Sequence, residues 1–348
     1  MKIAFIILTS LLSMLWNSIT VTAAHVYPGD LSINRIAYDS VPYDSTSTAI
    51  YIKNNTGDWK EILYYIWRTA DGRSSRKSFS SSDIHNHFSI VLDTKKFMNK
   101  RGEYSIEAYG IKQDGTAILF GEDRFTFLHP IPIVMYHAID EYHGLGIKDL
   151  FVTPAAFEKQ MQYLKENGYT LLTFEQWEKR YEVNKPIFLT FDDGMKNNIH
   201  AFSILKKIKD TSFNPKATAY VIANATGPSW LSHEDLKEMV NSGLFSIQSH
   251  TLSHADLPTL SNCKVELKDS KEKIESITGK PVIAISYPFG HVNDSVVEEA
   301  KKYYKFATTT KPGQFEEHGT PNELLLMQRV RIHNSTTIDQ FASLVKEK

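Results

Sequence analysis

Residues 187–194 read IFLTFDDG, an apolar run that ends in two adjacent aspartates and a glycine. The run predicts a buried β-strand with the aspartates at its carboxyl end. Around it, strand-like runs alternate with helix-like runs over about 220 residues, from residue 129 to residue 348. This alternation predicts an α/β barrel or sheet.

Helix signals separate the predicted strands. Thr153 caps a predicted helix that has Pro154 in its first turn, and Gly168 ends it. Ser232 begins a capping box whose third helical residue is Asp235. These signals place helices between strands, as a barrel or doubly wound sheet requires.

Chemically active side chains follow the ends of several predicted strands. In α/β folds such positions meet at one rim, where the working residues lie. The rim is predicted to collect two carboxylates, three imidazoles and an aromatic segment: Asp192, Asp193, His137, His250, His254, Tyr287, Pro288 and Phe289.

This set of side chains indicates a metal-dependent hydrolase for amide or ester bonds. Imidazoles and a carboxylate are the usual ligands of a catalytic Zn²⁺ or similar ion. His250 and His254 would reach one point if their segment turns helically. One aspartate would bind the metal and the other would take a proton from water. Each feature alone has a plainer interpretation, since Asp-Asp-Gly is often only a turn and histidines after strands often bond to the backbone.

Two motifs resemble those of one enzyme family. Residues 190–194 (TFDDG) match the first motif of the NodB-type polysaccharide deacetylases, carbohydrate esterase family 4, and residues 249–254 (SHTLSH) match the second. The resemblance implies a distorted (β/α) barrel and a divalent metal, for which Zn, Co and Ni all suit the ligands. It implies residue roles as follows: Asp192 as general base, Asp193, His250 and His254 as metal ligands, and Tyr287, Pro288 and Phe289 at the substrate, with the Tyr287 N–H binding the oxyanion.

The sequence also departs from the family pattern. The third motif lacks its base-orienting arginine, no fourth motif is present, and the usual acid histidine is missing. The early position of His137 resembles the circularly permuted deacetylases of biofilm poly-N-acetylglucosamine, which implies that His137 is the general acid and leaves His333 as its rival. Arg329 is the candidate base-orienting residue, and a surface arginine beside an edge strand is the alternative.

The N-terminal part has a different pattern of apolar and turn-forming residues. Residues 1–24 are predicted to be an export signal, with a short apolar run and small residues at its end. Residues 25–128 show short aromatic and β-branched runs between turns, which predicts a small β-sandwich. They resemble the Bsp-like repeat of Gram-positive surface proteins, an Ig-like module, which implies a cell-wall or surface ligand. Residues 129–348 form the predicted deacetylase domain.

Composition narrows the function classes. The net charge of −1 argues against nucleic acid as a partner, and the single cysteine excludes an intrachain disulfide. We expect a secreted or cell-surface enzyme that removes acetyl groups from a β-linked N-acetylglucosamine polysaccharide, extracellular poly-N-acetylglucosamine first. The alternatives are a peptidoglycan or chitin-oligomer deacetylase, an esterase for O-acetyl sugars, and an inactive surface carbohydrate-binding protein.

Overall fold

The computed structural model describes residues 35–39, 41, 45–53, 57–127, 130–318 and 320–346 of the 348-residue chain. The predicted export signal lies outside the described residues, as do residues 128 and 129 at the predicted domain boundary. Within the described ranges, no helix is both long enough and apolar enough to span a membrane.

The N-terminal part contains two antiparallel sheets. Its described strands are β1 (Arg35–Tyr38), β2 (Ser47–Lys53), β3 (Glu61–Arg68), β4 (Lys77–Ser81), β5 (Ile90–Asp93), β6 (Gly102–Ile111) and β7 (Ala117–Phe127). The first sheet has the order β1-β2-β5 and the second β4-β3-β6-β7. Alternate residues of β2 and β3 are buried, because each strand turns one face to the core. Ile50 of the first sheet and Tyr104 of the second belong to one hydrophobic cluster.

One strand of this part begins later than the sequence indicates. Residues 87–92 read as a strand, but β5 begins only at Ile90. His87 and Phe88 have φ angles of 51° and 54°, in the left-handed region that a strand cannot use. Aromatic and β-branched content alone therefore placed the strand start too early.

The C-terminal part is built on parallel strands. They are β8 (Ile133–Tyr136), β9 (Ala138–Ile139), β10 (Phe151–Val152), β11 (Thr170–Leu172), β12 (Pro186–Phe191), β13 (Ala217–Val221), β14 (Phe245–Ser249), β15 (Ala284–Ser286), β16 (Phe306–Pro312) and β17 (Met327–Arg331). Strands β12 to β17 pair in sequence order, and β8 pairs with both β17 and β12. This closes a barrel of seven parallel strands, with β11 as an additional strand beside β12. The predicted distorted barrel is thus confirmed, and the open sheet is wrong.

Helices pack around the barrel. They are α1 (Pro154–Glu166), α2 (Asn198–Ile208), α3 (His233–Asn241), α4 (Lys264–Thr278), α5 (Asp294–Ala300) and α6 (Ile338–Val345). The Thr153 hydroxyl accepts from the N–H of Ala156, and Ser232 forms the predicted capping box with Asp235. Val330 of β17 packs in the outer core between strands and helices, whereas Met327 lies in the interior cluster that six barrel strands share. Side chains of the barrel strands thus alternate between inside and outside.

A buried carboxylate joins the two parts. Glu317, which precedes β17, accepts hydrogen bonds from Arg68 of β3, from Arg180 and from the hydroxyl of Tyr181. The side chains of Glu317, Arg68 and Arg180 are 8%, 7% and 2% exposed. A buried charge of this kind needs paired charges around it, so the contact fixes how β3 meets the barrel.

Candidate active site

The site lies at the carboxyl mouth of the barrel, where Arg329 holds Asp192. Arg329 lies inside β17 and is fully buried, and Asp192 follows β12. Nη1 of Arg329 lies 2.7 Å from Oδ1 of Asp192, and Nη2 lies 2.6 Å from Oδ2. The guanidinium also donates to the hydroxyls of Thr190 and Ser286, at 3.1 and 3.0 Å. The alternative of a surface arginine is therefore wrong.

This pairing determines the charge of Asp192. Burial raises the pKa of the carboxyl group, but the charge and hydrogen bonds of Arg329 outweigh burial, so the pKa lies below its ordinary value. The hydroxyl of Ser286 adds a hydrogen bond to Oδ2, at 3.2 Å. Asp192 is thus ionised and fixed in one orientation at the carboxyl end of β12.

A second cluster, formed by Asp193, His250 and His254, lies beside Asp192. Oδ1 of Asp193 is 3.3 Å from Nε2 of His250 and 3.6 Å from Nε2 of His254. The three ligand atoms lie within 4.8 Å of one another. Ligands at about 2.1 Å in a tetrahedral arrangement are separated by roughly 3.4 Å, so this spacing suits a small divalent cation. Carboxylate and imidazole together are a donor set for such an ion.

The tautomer of His250 supports the same conclusion. Its Nδ1 lies 2.7 Å from the carbonyl oxygen of Ser286, which accepts the Nδ1 proton and orients the ring with Nε2 toward Asp193, so Nε2 is the atom that could bind a metal ion. Burial lowers the pKa of His250, and the hydrogen bond to Asp193 outweighs this effect and raises it. Burial and the adjacent His250 lower the pKa of His254. The residues present fit a metal ion.

The two histidines are not on a helical turn. The segment after β14 is a loop, in which Thr251 and His254 have φ angles of 67° and 61°. Asp193 has a φ of 73°, so two of the three candidate ligands lie in the strained left-handed region. The carboxylate of Glu266 on α4 accepts from the N–H groups of Leu252 and Ser253 and anchors the loop.

The helical geometry expected from the His-x-x-x-His spacing is therefore wrong, whereas the convergence of the two imidazoles is confirmed. Their ring centroids lie 4.8 Å apart. The neighbouring Gly194 has a φ of 76°, and an added Cβ would lie 2.9 Å from Cγ1 of Val221. The glycine of the first motif thus lets the aspartate loop pass close to β13.

His137 lies next to Asp192. It follows β8, and the N–H of Asp192 donates to the carbonyl oxygen of Tyr136 at 2.9 Å, which aligns the ends of the two strands. Burial lowers the pKa of His137, and the charges of Asp192 and Asp193 oppose this effect. The buried Asn198 on α2 donates from Nδ2 to the carbonyl oxygen of His137 at 2.6 Å. The His137 side chain is thus half-buried, and the hydrogen bond from Asn198 fixes its backbone.

The predicted substrate segment, residues 287–289, lines the side of the site next to His254. Pro288 is buried, and Phe289 is 54% exposed with its ring 4.7 Å from that of His254. The N–H of Tyr287 donates to the carbonyl oxygen of Thr308 at 3.0 Å. The sequence did not indicate that this N–H has a partner within the fold. To bind an oxyanion, the Tyr287 N–H would first have to break its hydrogen bond to Thr308.

An open cavity adjoins the candidate metal ligands. Its volume is about 470 Å³, and Asp193, His254, Ile222 and Trp230 are among its lining residues. The half-buried indole of Trp230 offers an apolar surface on which a sugar ring could pack. The cavity is large enough for a sugar unit beside the candidate metal ligands.

The structure brings the predicted residues Asp192, Asp193, His137, His250, His254, Phe289 and Arg329 to one mouth. His333 has a partner elsewhere, because its Nδ1 lies 2.6 Å from Oδ2 of Asp149. Sequence reasoning did not identify Asn198 and Trp230 as site residues, nor the hydroxyls that support the base. Thr190 is the last but one residue of β12 and Ser286 is the last residue of β15, and their position on the inward face of each strand was the available signal.

Comparison with known proteins identifies the family. The family model described as polysaccharide deacetylase matches residues 179–305. A polysaccharide deacetylase from Bacillus cereus of known crystal structure is 57% identical, with a TM-score of 0.66, and the match covers 90% of this chain and 100% of that one. The chain belongs to the polysaccharide deacetylase family. It is accordingly a hydrolase of that family, and the matched segment contains Asp192, Asp193, His250 and His254.

Two further deacetylases are similar. A Streptococcus pyogenes deacetylase, solved in complex with acetate, is 31% identical with a TM-score of 0.57, over 63% of this chain and 99% of that one. A poly-β-1,6-N-acetyl-D-glucosamine N-deacetylase of Staphylococcus epidermidis is 28% identical over 225 residues, which cover 58% of this chain and 73% of that protein. This polysaccharide deacetylase is therefore related to enzymes named for an N-acetylglucosamine polymer.

Proposed function

We propose that this polysaccharide deacetylase hydrolyses N-acetyl groups of a β-linked N-acetylglucosamine polysaccharide with the help of a divalent metal ion. The observation that supports this most strongly is that two adjacent aspartates have different charged partners. Asp192 is paired with Arg329 and kept ionised, whereas Asp193 faces two imidazoles. Adjacent carboxylates in different environments take different roles.

The proposed reaction uses water and an acetamido group. A divalent ion held by Asp193, His250 and His254 would supply Lewis acidity toward the acetamido carbonyl. Asp192 accepts a proton from the water whose oxygen attacks the carbonyl carbon. His137 donates a proton to the nitrogen as the C–N bond breaks. The products are acetate and a free amine on the sugar, which balances the water consumed.

The proposed substrate is poly-β-1,6-N-acetylglucosamine in the first instance. The name of the staphylococcal relative supports it, and so does the position of β8 between β17 and β12, which brings His137 of an early strand beside Asp192. We place the chain in the circularly permuted subgroup on the same ground. Peptidoglycan and chitin oligomers carry the same acetamido group and are the alternative polymers.

We also propose a secreted or cell-surface location and an Ig-like N-terminal module with a cell-wall or surface ligand. The location is supported by the sequence of residues 1–24. The module is supported by its two antiparallel sheets with a shared core. Residues 25–128 would then hold the barrel near a polymer at the cell surface.

The test is acetate release by the purified protein from oligomers of the three polymers, at matched concentration of acetamido groups. Mass spectrometry of the products should show the loss of one acetyl mass per acetate released. We expect release from the β-1,6 oligomers. Absence of release from all three polymers, with metal supplied, would contradict the proposed function and favour a binding role.

A further inference from the structure

The two candidate histidine ligands are held in place differently. The ring of His250 is oriented directly, because its Nδ1 donates to the carbonyl oxygen of Ser286 at 2.7 Å. The ring of His254 hydrogen-bonds to no other segment in the described ranges, and its Nε2 lies 3.6 Å from Oδ1 of Asp193. The position of the His254 imidazole therefore depends on the backbone of the loop that carries it, residues 250–256.

One edge of this loop is bound to the segment after β13. The carbonyl oxygen of Thr251 accepts from the N–H of Ala223 at 3.0 Å. The carbonyl oxygen of Leu252 accepts from the N–H of Asn224 at 2.9 Å. These bonds engage the carbonyl groups of the loop, so its N–H groups need acceptors from another element.

Glu266 supplies that acceptor from the first turn of α4. Its Oε2 accepts from the N–H groups of Leu252 and Ser253 at 3.0 and 2.9 Å, and its Oε1 accepts from the hydroxyl of Ser253 at 2.6 Å. Hydrogen bonds to an ionised carboxylate are stronger than those between neutral groups, and the start of a helix favours a negative charge. Glu266 thus holds the two residues that directly precede His254.

We propose that Glu266 is a positioning residue for the candidate metal ligand His254. The inference rests on the proposed function, because it concerns the metal ion that this function uses. His254 has a φ of 61°, and a strained conformation of this kind persists only where the surrounding contacts enforce it. Without Glu266, the exposed Ser253 and half-buried Leu252 would donate to water instead. The loop would then relax, and Nε2 of His254 would no longer face Asp193.

The experiment measures the Zn²⁺ affinity of metal-stripped protein by calorimetry, without substrate. Glu266→Ala removes the acceptor, and we expect Zn²⁺ to bind about 10-fold or more weakly, as for other losses of groups that orient a metal ligand. Glu266→Gln keeps an oxygen within reach of both N–H groups and should retain most of the affinity. Co²⁺ serves as a second probe, because its absorption spectrum reports the coordination geometry. The spectrum should change in Glu266→Ala and be restored in Glu266→Gln.

Glu275→Ala is the matched control on the same helix. Glu275 lies near the other end of α4 and also accepts from a backbone N–H, that of Val282, at 2.8 Å. Its loss therefore removes a similar bond away from the loop, and we expect Zn²⁺ affinity to stay at the wild-type value. Circular dichroism of the metal-free proteins checks folding. If Glu266→Ala does not fold, Glu266→Asp gives the same test, because it keeps the charge but shortens the reach by one methylene.

The outcomes separate this role from the proposed function. Equal Zn²⁺ affinity in wild type and the folded Glu266 variants, or the same loss of affinity in Glu275→Ala, would overturn the positioning role even in a protein that deacetylates a polymer. Zn²⁺ binding that depends on Glu266, in a protein that releases no acetate, would support the positioning role and contradict only the proposed function.

Discussion

Arg329 and Asp192 meet edge to edge, with Nη1 2.7 Å from Oδ1 and Nη2 2.6 Å from Oδ2, although 137 positions separate them in the chain. Their side chains are 0% and 3% exposed. A buried ion pair is weak evidence for stability, because desolvation offsets much of the attraction. Here the pair orients one ionised carboxylate beside a candidate metal cluster, which is what a general base needs.

Replacing Arg329 should therefore damage catalysis. Arg329→Gln leaves Asp192 buried without its partner, so the pKa of Asp192 rises and less of the base is ionised. We expect kcat for acetate release to fall about 100-fold or more. The control is Arg124→Gln, which removes a 65% exposed arginine. Circular dichroism checks folding, and unchanged kcat in a folded Arg329→Gln protein would contradict the role.

Metal binding should depend on the three-residue cluster. His254→Ala removes one of three ligands, and we expect the purified protein to lose most of its divalent metal after dialysis, since two ligands hold an ion weakly. His233→Ala, an exposed histidine at the start of α3, is the control. Elemental analysis and the metal-dependent shift of the unfolding temperature measure the effect. Equal metal content in the two variants would place the ion elsewhere.

Asn198 should act through His137. Loss of its 2.6 Å hydrogen bond in Asn198→Ala frees the backbone that carries the proposed acid. An amine leaving group needs a proton, whereas an aryl alcohol hardly does. We expect release of acetate from N-acetyl sugars to fall about tenfold, and hydrolysis of an aryl acetate to fall much less.

His200→Ala provides the matched control for Asn198→Ala. Its ring lies on the same helix, with Nδ1 2.8 Å from the carbonyl oxygen of Ile139, and so anchors the same segment two residues further on. We expect His200→Ala to affect the amide and ester reactions alike. The same proportional loss on both substrates in Asn198→Ala would reduce its role to general support of the fold.

Glu317 should contribute stability that depends on pH. Burial raises its pKa, but Arg180 and Arg68 outweigh burial and hold the pKa below the ordinary 4.5. A depressed pKa in the folded state stabilises the fold above the unfolded pKa, and this contribution is lost as pH falls from about 4.5 toward the folded pKa. Glu317→Gln should cost about 3 kcal/mol at neutral pH.

Thermal unfolding of wild type and Glu317→Gln at a series of pH values checks this. The difference in unfolding temperature should be constant at neutral pH and shrink below about pH 4.5. Glu316→Gln, at the half-exposed neighbouring carboxylate, should show little difference at any pH. A Glu317→Gln difference that is unchanged in acid would show that the Glu317 charge is not what stabilises the junction.

Much of the barrel could be predicted from local pattern. Strand and helix signals repeat along the chain, and the ends of parallel strands must share one rim, so Asp192 and His250 were placed together without long-range information. Local sequence pattern did not decide whether the sheet closes into a barrel. The pairing of β8 with both β17 and β12 joins distant segments, and alternation alone fits an open sheet equally well.

The support of the site was harder to predict. Arg329 was a candidate, but an arginine in a short strand gives no local sign that its partner lies 137 residues away. Asn198 is a polar residue in an ordinary amphipathic helix. The His250 to His254 spacing suggested a helical turn, whereas the loop reaches the same convergence through left-handed φ angles that only the three-dimensional fold imposes.

The most direct test of the proposed function is acetate release from β-1,6-linked N-acetylglucosamine oligomers by metal-stripped protein, titrated with Zn²⁺, Co²⁺ or Ni²⁺, beside Asp192→Asn in the same series. We predict that release depends on added metal in the wild type, and that Asp192→Asn still binds the metal but loses about 100-fold or more of the rate. Metal-independent release, or equal rates in the two proteins, would contradict it.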